Sequence, residues 1–154
     1  MKICFYTLSL GSFGIAEETD EITNLFFPND TLPQNVENFE SPILKEAALQ
    51  LKSYFNGKLK EFSLPLAPAG TEFMKKIWHC ISEVPYGETA SYKEIAISSG
   101  NPRAVRAVGM ANNRNPIPIF IPCHRIIGNN GKLIGYRGGL EIKAKLLELE
   151  MLNR

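Results

Sequence analysis

The hydrophobic pattern in the N-terminal part of the chain predicts a small sheet followed by one helix. Apolar residues cluster in three segments that predict strands, Lys2 to Leu8, Phe13 to Ala16 and Ile22 to Phe27, with Gly11 between the first two. Ser41-Pro42 is typical of a helix start, and apolar side chains then recur at helical spacing up to Gly57: Leu44, Ala48, Leu51, Tyr54 and Phe55. We expect this α/β unit to have a structural role.

The periodic pattern breaks between Phe62 and Gly70, where Pro65 and Pro68 interrupt it. We interpret this segment as a linker and expect two domains, residues 1–66 and residues 67–154. A helix capped by Thr71 should follow the linker, with apolar residues repeating along it: Phe73, Ile77, Trp78 and Ile81.

Two short helices separated by a tight turn are predicted next. Residues 91–94, Ser-Tyr-Lys-Glu, form a capping box that should start the first helix, and Ser99-Gly100 should end it. Asn101 is a good N-cap and Pro102 a good first residue for the second helix, which should stop at Asn112-Asn113. This arrangement is typical of a helix-turn-helix.

The second of these helices carries small side chains on one face: Ala104, Ala107, Val108 and Ala111. Such a face suits either tight packing inside the protein or close approach to a partner. Arg103 and Arg106 favour the second interpretation, since arginine binds phosphates and fills gaps in a base stack. We therefore expect this helix to contact DNA.

The segment from Leu140 to Leu152 predicts an amphipathic helix in which Glu150 points toward the apolar face. A carboxylate placed in an apolar environment needs a partner. Lys143, two turns earlier, is one candidate, and His124 is the candidate that we favour.

Composition permits a packed core, because 44% of the 154 residues are hydrophobic. The net charge of +1 hides an uneven distribution: residues 1–94 hold 13 acidic and 8 basic residues, whereas residues 95–140 hold no acid and six bases. The six are Arg103, Arg106, Arg114, Arg125, Lys132 and Arg137. A positive surface of this kind is compatible with nucleic acid binding.

The remaining sequence signals exclude several classes of protein. No stretch approaches the apolar length of a membrane span, and three cysteines without a close pair argue against a disulfide framework, so we expect a soluble, intracellular protein. No paired metal ligands such as CxxC or HxxxH occur, and we expect no metal site. Cys4 and Cys80 should be inert core residues.

Cys123 is different, because it lies between a proline and a histidine in the run Asn115-Pro-Ile-Pro-Ile-Phe-Ile-Pro-Cys-His-Arg125. A cysteine becomes nucleophilic when a neighbouring positive potential favours its thiolate, and His124 and Arg125 stand next to it. Three prolines within seven residues predict an extended, stiff backbone that holds the thiol still.

These residues resemble the O6-alkylguanine-DNA alkyltransferase family, whose hallmarks are an Asn-Pro-x-Pro segment, a PCHR box and Gly-Tyr-x-Gly-Gly. The resemblance covers about residues 73–154 and includes Ser91-Tyr92, the segment 103–109, Gly135 to Gly139, and Leu146 to Glu150. It implies an α+β protein, with a small ribonuclease H-like N-terminal α/β domain and a mainly α, winged-helix-like C-terminal domain containing the helix-turn-helix.

The resemblance also implies a role for each matching residue. Glu150 would orient His124, which would draw a proton from Cys123 through a water molecule, while Asn115 would brace the active-site turn. Around the substrate, Tyr92 would donate a hydrogen bond to guanine N3, and the backbone carbonyls of Cys123 and Ile126 would bind its exocyclic amine. Tyr136 and Arg137 would lie beside the alkyl group. On the DNA, Arg106 would fill the gap left by the extruded base, and Arg103 and Ala107 would contact the strand.

The implied function is DNA repair by irreversible, stoichiometric transfer of the alkyl group from O6-alkylguanine to Cys123. The sequence does not decide whether the protein also acts on O4-alkylthymine or assembles cooperatively on DNA. The expected partner is double-stranded DNA, bound by a monomer in the cytoplasm, or in the nucleus of a eukaryote, without cofactor, metal or membrane. Two alternatives are a hydrolase with a Cys123, His124 and Glu150 triad and a non-catalytic sensor of DNA damage.

Overall fold

The computed structural model describes all 154 residues, Met1 to Arg154, and the chain divides into two compact units, Met1–Ala69 and Gly70–Arg154. The predicted boundary lay three residues earlier, after residue 66. The α+β class is confirmed, with a sheet in the first unit and mainly helices in the second. No helix combines the length and the apolar character that crossing a bilayer requires.

The first unit is a four-stranded sheet with one helix packed against it. Its strands are β1 (Lys2–Leu8), β2 (Gly11–Glu18), β3 (Glu21–Phe26) and β4 (Glu37–Asn38), in the order β3-β2-β1-β4, and only β4 runs parallel to its neighbour. Helix α1 (Pro42–Phe55) starts at Ser41, whose side chain accepts a hydrogen bond from the Leu44 amide, as predicted. The predicted apolar face of α1 is buried.

The segment predicted as a linker is part of the first unit. The amide of Ile22 donates to the carbonyl of Pro65, and the amide of Ala67 donates to the carbonyl of Ile22, both over 2.8 Å. The prolines ended the periodic pattern but left these backbone groups available for pairing with the edge of β3. For this reason the unit extends to Ala69.

The second unit contains α2 (Glu72–Ser82), β5 (Ala90–Ser91), α3 (Tyr92–Ser98), α4 (Val105–Asn113), a 3₁₀ helix (Cys123–Arg125), β6 (Ile126–Ile127) and α5 (Leu140–Asn153). The short strands β5 and β6 pair in parallel. The Thr71 cap of α2 and the Ser91 and Glu94 capping box of α3 are both present, which confirms these two predicted starts. On α2, however, Phe73 is exposed, while Ile77, Trp78 and Ile81 are buried.

The helix-turn-helix is present, but α4 begins at Val105 and not at Pro102 as predicted. Asn101 caps a turn and not the helix: its side chain accepts from the Arg103 amide over 3.2 Å, and its carbonyl accepts from the Ala104 amide over 3.0 Å. The side chain of Trp78 on α2 donates to the carbonyl of Ala111 over 2.8 Å and so fixes α4 against α2.

Candidate active site and DNA interface

The segment that precedes Cys123 is a compact turn, and the predicted extended conformation is wrong. The amide of Ile121 donates to the carbonyl of Ile117, and the Asn115 side chain donates to the Ile121 carbonyl while accepting from the Ile117 amide, both over 2.9 Å. Ile119 has a φ of 73°, a strained conformation for a β-branched residue. Buried Asn115 therefore closes a strained turn that leads into Cys123.

Cys123 starts the 3₁₀ helix and is buried, with 3% of its surface exposed. Burial raises the pKa of its thiol above the ordinary value of 9.0, although the Asn115 side chain and the positive charges of Lys143 and Arg137 act in the opposite direction. Neighbouring positive charge thus favours the thiolate, but it comes from Lys143 and Arg137 and not from His124 and Arg125 as expected, and burial outweighs it. A base must remove the proton before the sulfur can attack.

His124 is fully buried and held by Glu150, whose Oε2 lies 2.7 Å from Nε2 of the imidazole. An ionised carboxylate only accepts hydrogen bonds, so Nε2 carries the proton and Nδ1 is left as the basic nitrogen. Burial lowers the pKa of His124 below 6.5, although Glu150 acts in the opposite direction. The imidazole is therefore neutral near pH 7 and can accept a proton.

Arg125 also binds Glu150, a contact that the sequence reasoning missed. Its Nε lies 2.9 Å from Oε1 and its Nη2 lies 3.1 Å from Oε2, while Nη1 donates to the carbonyl of Val84 over 2.6 Å. The amide of Gly87 adds a further bond to Oε1 over 3.1 Å. Bidentate pairing of this kind fixes the carboxylate that in turn orients His124.

The sequence suggests Lys143 only as an alternative partner of Glu150, but the structure gives it another position. Its ammonium group is buried and donates to the carbonyl of Ile126 over 2.6 Å and to the carbonyl of Ile134 over 3.1 Å. Burial lowers the pKa of Lys143, and Cys123 acts in the opposite direction. Its place seven residues before Glu150, on the same face of α5, was the available sequence signal.

Tyr92, the first residue of α3, donates its hydroxyl to the carbonyl of Ile134 over 3.1 Å. Burial raises the pKa of this tyrosine, and the nearby Cys123 raises it further. Arg137 is exposed and Tyr136 half-buried in the loop between β6 and α5, and the charge of Arg137 acts on the Cys123 thiol. The structure thus brings Tyr92, Arg137 and Lys143 to the region of the sulfur.

The small-residue face predicted for the second helix is divided in the structure. Val108 and Ala111 are buried in the second unit, whereas Ala107 is exposed with Arg106 and with Arg103, which precedes the helix. One side of α4 therefore packs inside the second unit, and the other side is free to approach a partner. The exposed side retains the three residues predicted to contact DNA.

Cys4 and Cys80, which were predicted to be inert core residues, are half-buried and form no disulfide, so each lies at the edge of the core. Burial raises the pKa of the Cys80 thiol. No group of three or more histidine, cysteine or carboxylate side chains is arranged to hold a metal ion.

Both units match sequence models of known domains. Residues 72–152 match the DNA binding domain of 6-O-methylguanine DNA methyltransferase, and residues 1–68 match its ribonuclease-like domain. The two matches together span nearly the whole chain. They agree with the predicted identity of each domain.

Individual relatives give the same result. The constitutive methylated-DNA–protein-cysteine methyltransferase of Bacillus subtilis is 49% identical, over 97% of this chain and 96% of its own length. The protein of that name from Methanosarcina barkeri is 63% identical, over 71% of this chain and 69% of its own length. The crystal structure of Mycobacterium tuberculosis OGT in complex with DNA superposes with a TM-score of 0.93 and 41% identity, covering 99% of this chain and 94% of that one.

Proposed function

Because this chain belongs to the O6-methylguanine DNA methyltransferase family and repairs alkylated DNA by alkyl transfer to a cysteine, we propose that the acceptor is Cys123. The observation that carries the proposal is the arrangement of Cys123, His124 and Glu150. Cys123 directly precedes His124 in the sequence, and the neutral imidazole of His124 is held at Nε2 by the fixed carboxylate of Glu150. Cys80 also has a histidine beside it in the sequence, His79, which contacts Glu83, but both of those side chains are exposed, whereas His124 and Glu150 are buried. Cys4 has no histidine beside it in the sequence.

The first step is removal of the thiol proton. Consecutive residues of a 3₁₀ helix lie about 120° apart around its axis, so the side chains of Cys123 and His124 diverge, and a water molecule carries the proton to Nδ1. The imidazolium that forms is stabilised by Glu150, 2.7 Å from Nε2. Because burial holds the thiol pKa high, this transfer accompanies the approach of the substrate.

The second step is displacement at the alkyl carbon. The sulfur of Cys123 forms a bond to that carbon as the bond from carbon to guanine O6 breaks, and the electron pair passes into the guanine ring. Tyr92 releases the Ile134 carbonyl and donates its hydroxyl to guanine N3, which stabilises the developing charge. The guanine anion then takes one proton from solvent, and the His124 imidazolium returns the thiol proton to solvent. The base stays in the DNA as neutral guanine, and Cys123 is left as a thioether.

A base within a duplex must leave the stack to reach a buried sulfur. We assign this task to the exposed side of α4, where Arg106 would occupy the gap in the stack, and Arg103 and Ala107 would contact the strand. The bound partner is double-stranded DNA that contains alkylated guanine. The absence of acidic residues from 95–140 favours contact between this side and phosphates.

The thioether product has no acyl carbon for water to attack, so each chain acts once. The hydrolase alternative needs a thioester that water can cleave, and the named activity of the relatives does not support it. The sensor alternative is disfavoured because the acceptor cysteine is present. We place the reaction in the cytoplasm, where DNA is accessible and thiols stay reduced.

The test is intact-protein mass spectrometry after incubation with a duplex oligonucleotide containing O6-methylguanine. We expect one methyl group per protein molecule, located on the peptide that contains Cys123, and unmodified guanine in the DNA. Cys123→Ser should abolish the mass gain, while the control Cys80→Ser should retain it. Methylation of Cys4 or Cys80, or release of more than one guanine per protein molecule, would contradict the proposal.

A further inference from the structure

Met110 is a large apolar residue exposed in the middle of the basic side of α4. Its exposed fraction is 55%, although α4 also has a buried face where an apolar residue could pack. The exposed residues of this helix recur every three or four positions and form one stripe: Arg106, Ala107, Met110 and Asn113, followed by Arg114. At about 100° per residue, Met110 lies near the centre of that stripe.

We propose that Met110 inserts into the minor groove beside Arg106 and makes an apolar contact with the DNA next to the lesion. This inference rests on the proposed function, and it assigns a residue to the recognition of the base pairs that flank the alkylated guanine. Methionine is one of the apolar residues that proteins place against or between base steps in the minor groove. Its flexible thioether adapts to different surfaces.

The surroundings of Met110 favour DNA over another apolar partner. Two arginines of the stripe, Arg106 and Arg114, lie four residues away on either side, and no acid occurs in α4. Residues four apart on a helix are neighbours, so both charges border the methionine. A surface that is apolar at its centre and positive at its edges is complementary to the sugars and phosphates of a groove.

The spacing also indicates which bases are involved. Met110 lies four residues beyond Arg106, about 6 Å along the helix, which corresponds to about two base steps of one DNA strand. If Arg106 occupies the position of the extruded base, Met110 then contacts a neighbouring step. The contribution of Met110 to duplex affinity should therefore depend on how easily that base step opens, and it should be largest at flexible TA steps.

The experiment compares Met110→Ala with Ile97→Ala, a control on α3 that is 53% exposed and outside the stripe. For each variant we would measure duplex binding by fluorescence anisotropy at several salt concentrations, methyl transfer from the duplex, and reaction with free O6-benzylguanine. We expect Met110→Ala to weaken duplex binding about tenfold, as loss of a buried apolar contact would. In Met110→Ala, the slope of the logarithm of duplex affinity against the logarithm of salt concentration should stay unchanged. In Arg114→Ala, which removes a phosphate contact, the magnitude of this slope should fall by about one.

Reaction with free O6-benzylguanine should be the same for the wild type, Met110→Ala and Ile97→Ala, because it needs no DNA contact. A wild-type protein that reacts with the free base, combined with equal duplex binding by Met110→Ala and wild type, would overturn the inference and leave the proposed function intact. A wild-type protein in which Cys123 gains no alkyl group from either substrate would overturn the proposed function itself.

Discussion

The ammonium group of Lys143 donates a hydrogen bond to the backbone carbonyl of Ile126 over 2.6 Å. This carbonyl belongs to β6, which directly follows the helical turn of Cys123. The same ammonium group holds the carbonyl of Ile134 and acts on the Cys123 thiol by its charge. A single buried cation thus fixes the backbone beside the acceptor and favours the ionised sulfur.

Replacing this cation should affect both stability and reaction. Lys143→Met keeps the length of the side chain but removes the ammonium donor from the Ile126 carbonyl, while the Ile134 carbonyl keeps the Tyr92 hydroxyl. The loss should cost about 2 kcal/mol in the free energy of unfolding. Alkyl transfer should slow by about tenfold because the pKa of Cys123 rises further. Urea unfolding and single-turnover transfer would measure the two effects, with Lys145→Met, an exposed position on the same helix, as the control. Equal rates for both variants would contradict this role of Lys143.

Glu150→Gln should lower both the stability of the protein and the rate of alkyl transfer, although the substitution hardly changes the volume of the side chain. The amide cannot balance the charge of buried Arg125, and removal of one partner from a buried ion pair costs about 3–5 kcal/mol. It also removes the charge that stabilises the His124 imidazolium, so alkyl transfer should be slower even where the variant is folded. Glu148→Gln, which is exposed on α5, should change unfolding by less than about 0.5 kcal/mol. Wild-type stability of Glu150→Gln in chemical unfolding would refute the ion-pair argument.

The lowered pKa of His124 predicts how stability depends on pH. In the unfolded chain this residue gains a proton as pH falls below 6.5, whereas the folded protein resists protonation until a lower pH. Stability contributed by neutral His124 is therefore complete above pH 6.5 and is lost as pH falls below it, by at most about 1.4 kcal/mol per pH unit.

The chain has two histidines, so NMR can follow this titration directly. His79→Gln removes the signal of the exposed histidine on α2 and identifies that of His124. The His124 signal should titrate below 6.5 in the folded protein. Titration at or above 6.5 would show that the base is not held neutral by burial.

Arg106→Ala should separate base extrusion from chemistry. Loss of the side chain that fills the stack should reduce repair of O6-methylguanine in a duplex by about tenfold or more, because extrusion costs a few kcal/mol. Reaction with free O6-benzylguanine should not change, since no base has to leave a duplex. Single-turnover assays with the two substrates would measure the difference. Equal losses on both would rule out this role for Arg106.

The parts of the fold that depend on short-range signals could be predicted from the sequence. The caps at Ser41, Thr71 and Ser91 start helices because each side chain bonds a backbone amide three residues later. The contact between Glu150 and His124 was also predicted, although the two residues lie 26 positions apart. The helical periodicity of α5 placed Glu150 toward the apolar face, and the family resemblance indicated His124 as its partner. At these helix starts, two residues three positions apart determine the conformation, so the sequence alone is sufficient to predict it.

The features that could not be predicted depend on the whole fold. The sequence places the charge of Arg125 beside Cys123, but the fold directs its guanidinium to Glu150 and to the carbonyl of Val84, 41 residues away. The turn at Ile119 is held by Asn115 against the preference of the residue itself, so propensity alone favours another conformation. Asn101 could cap either a helix or a turn, and a turn formed.

Trp78 is the only tryptophan in the chain, and its indole bonds the backbone of α4, the helix to which we assign contact with DNA. The tryptophan fluorescence of the protein, excited at wavelengths that the tyrosines do not absorb, therefore originates from a fluorophore bonded to that helix. Displacement of α4 when a duplex binds would change the polarity around the indole and shift its emission. Binding can then be followed optically in the unlabelled, unmutated protein.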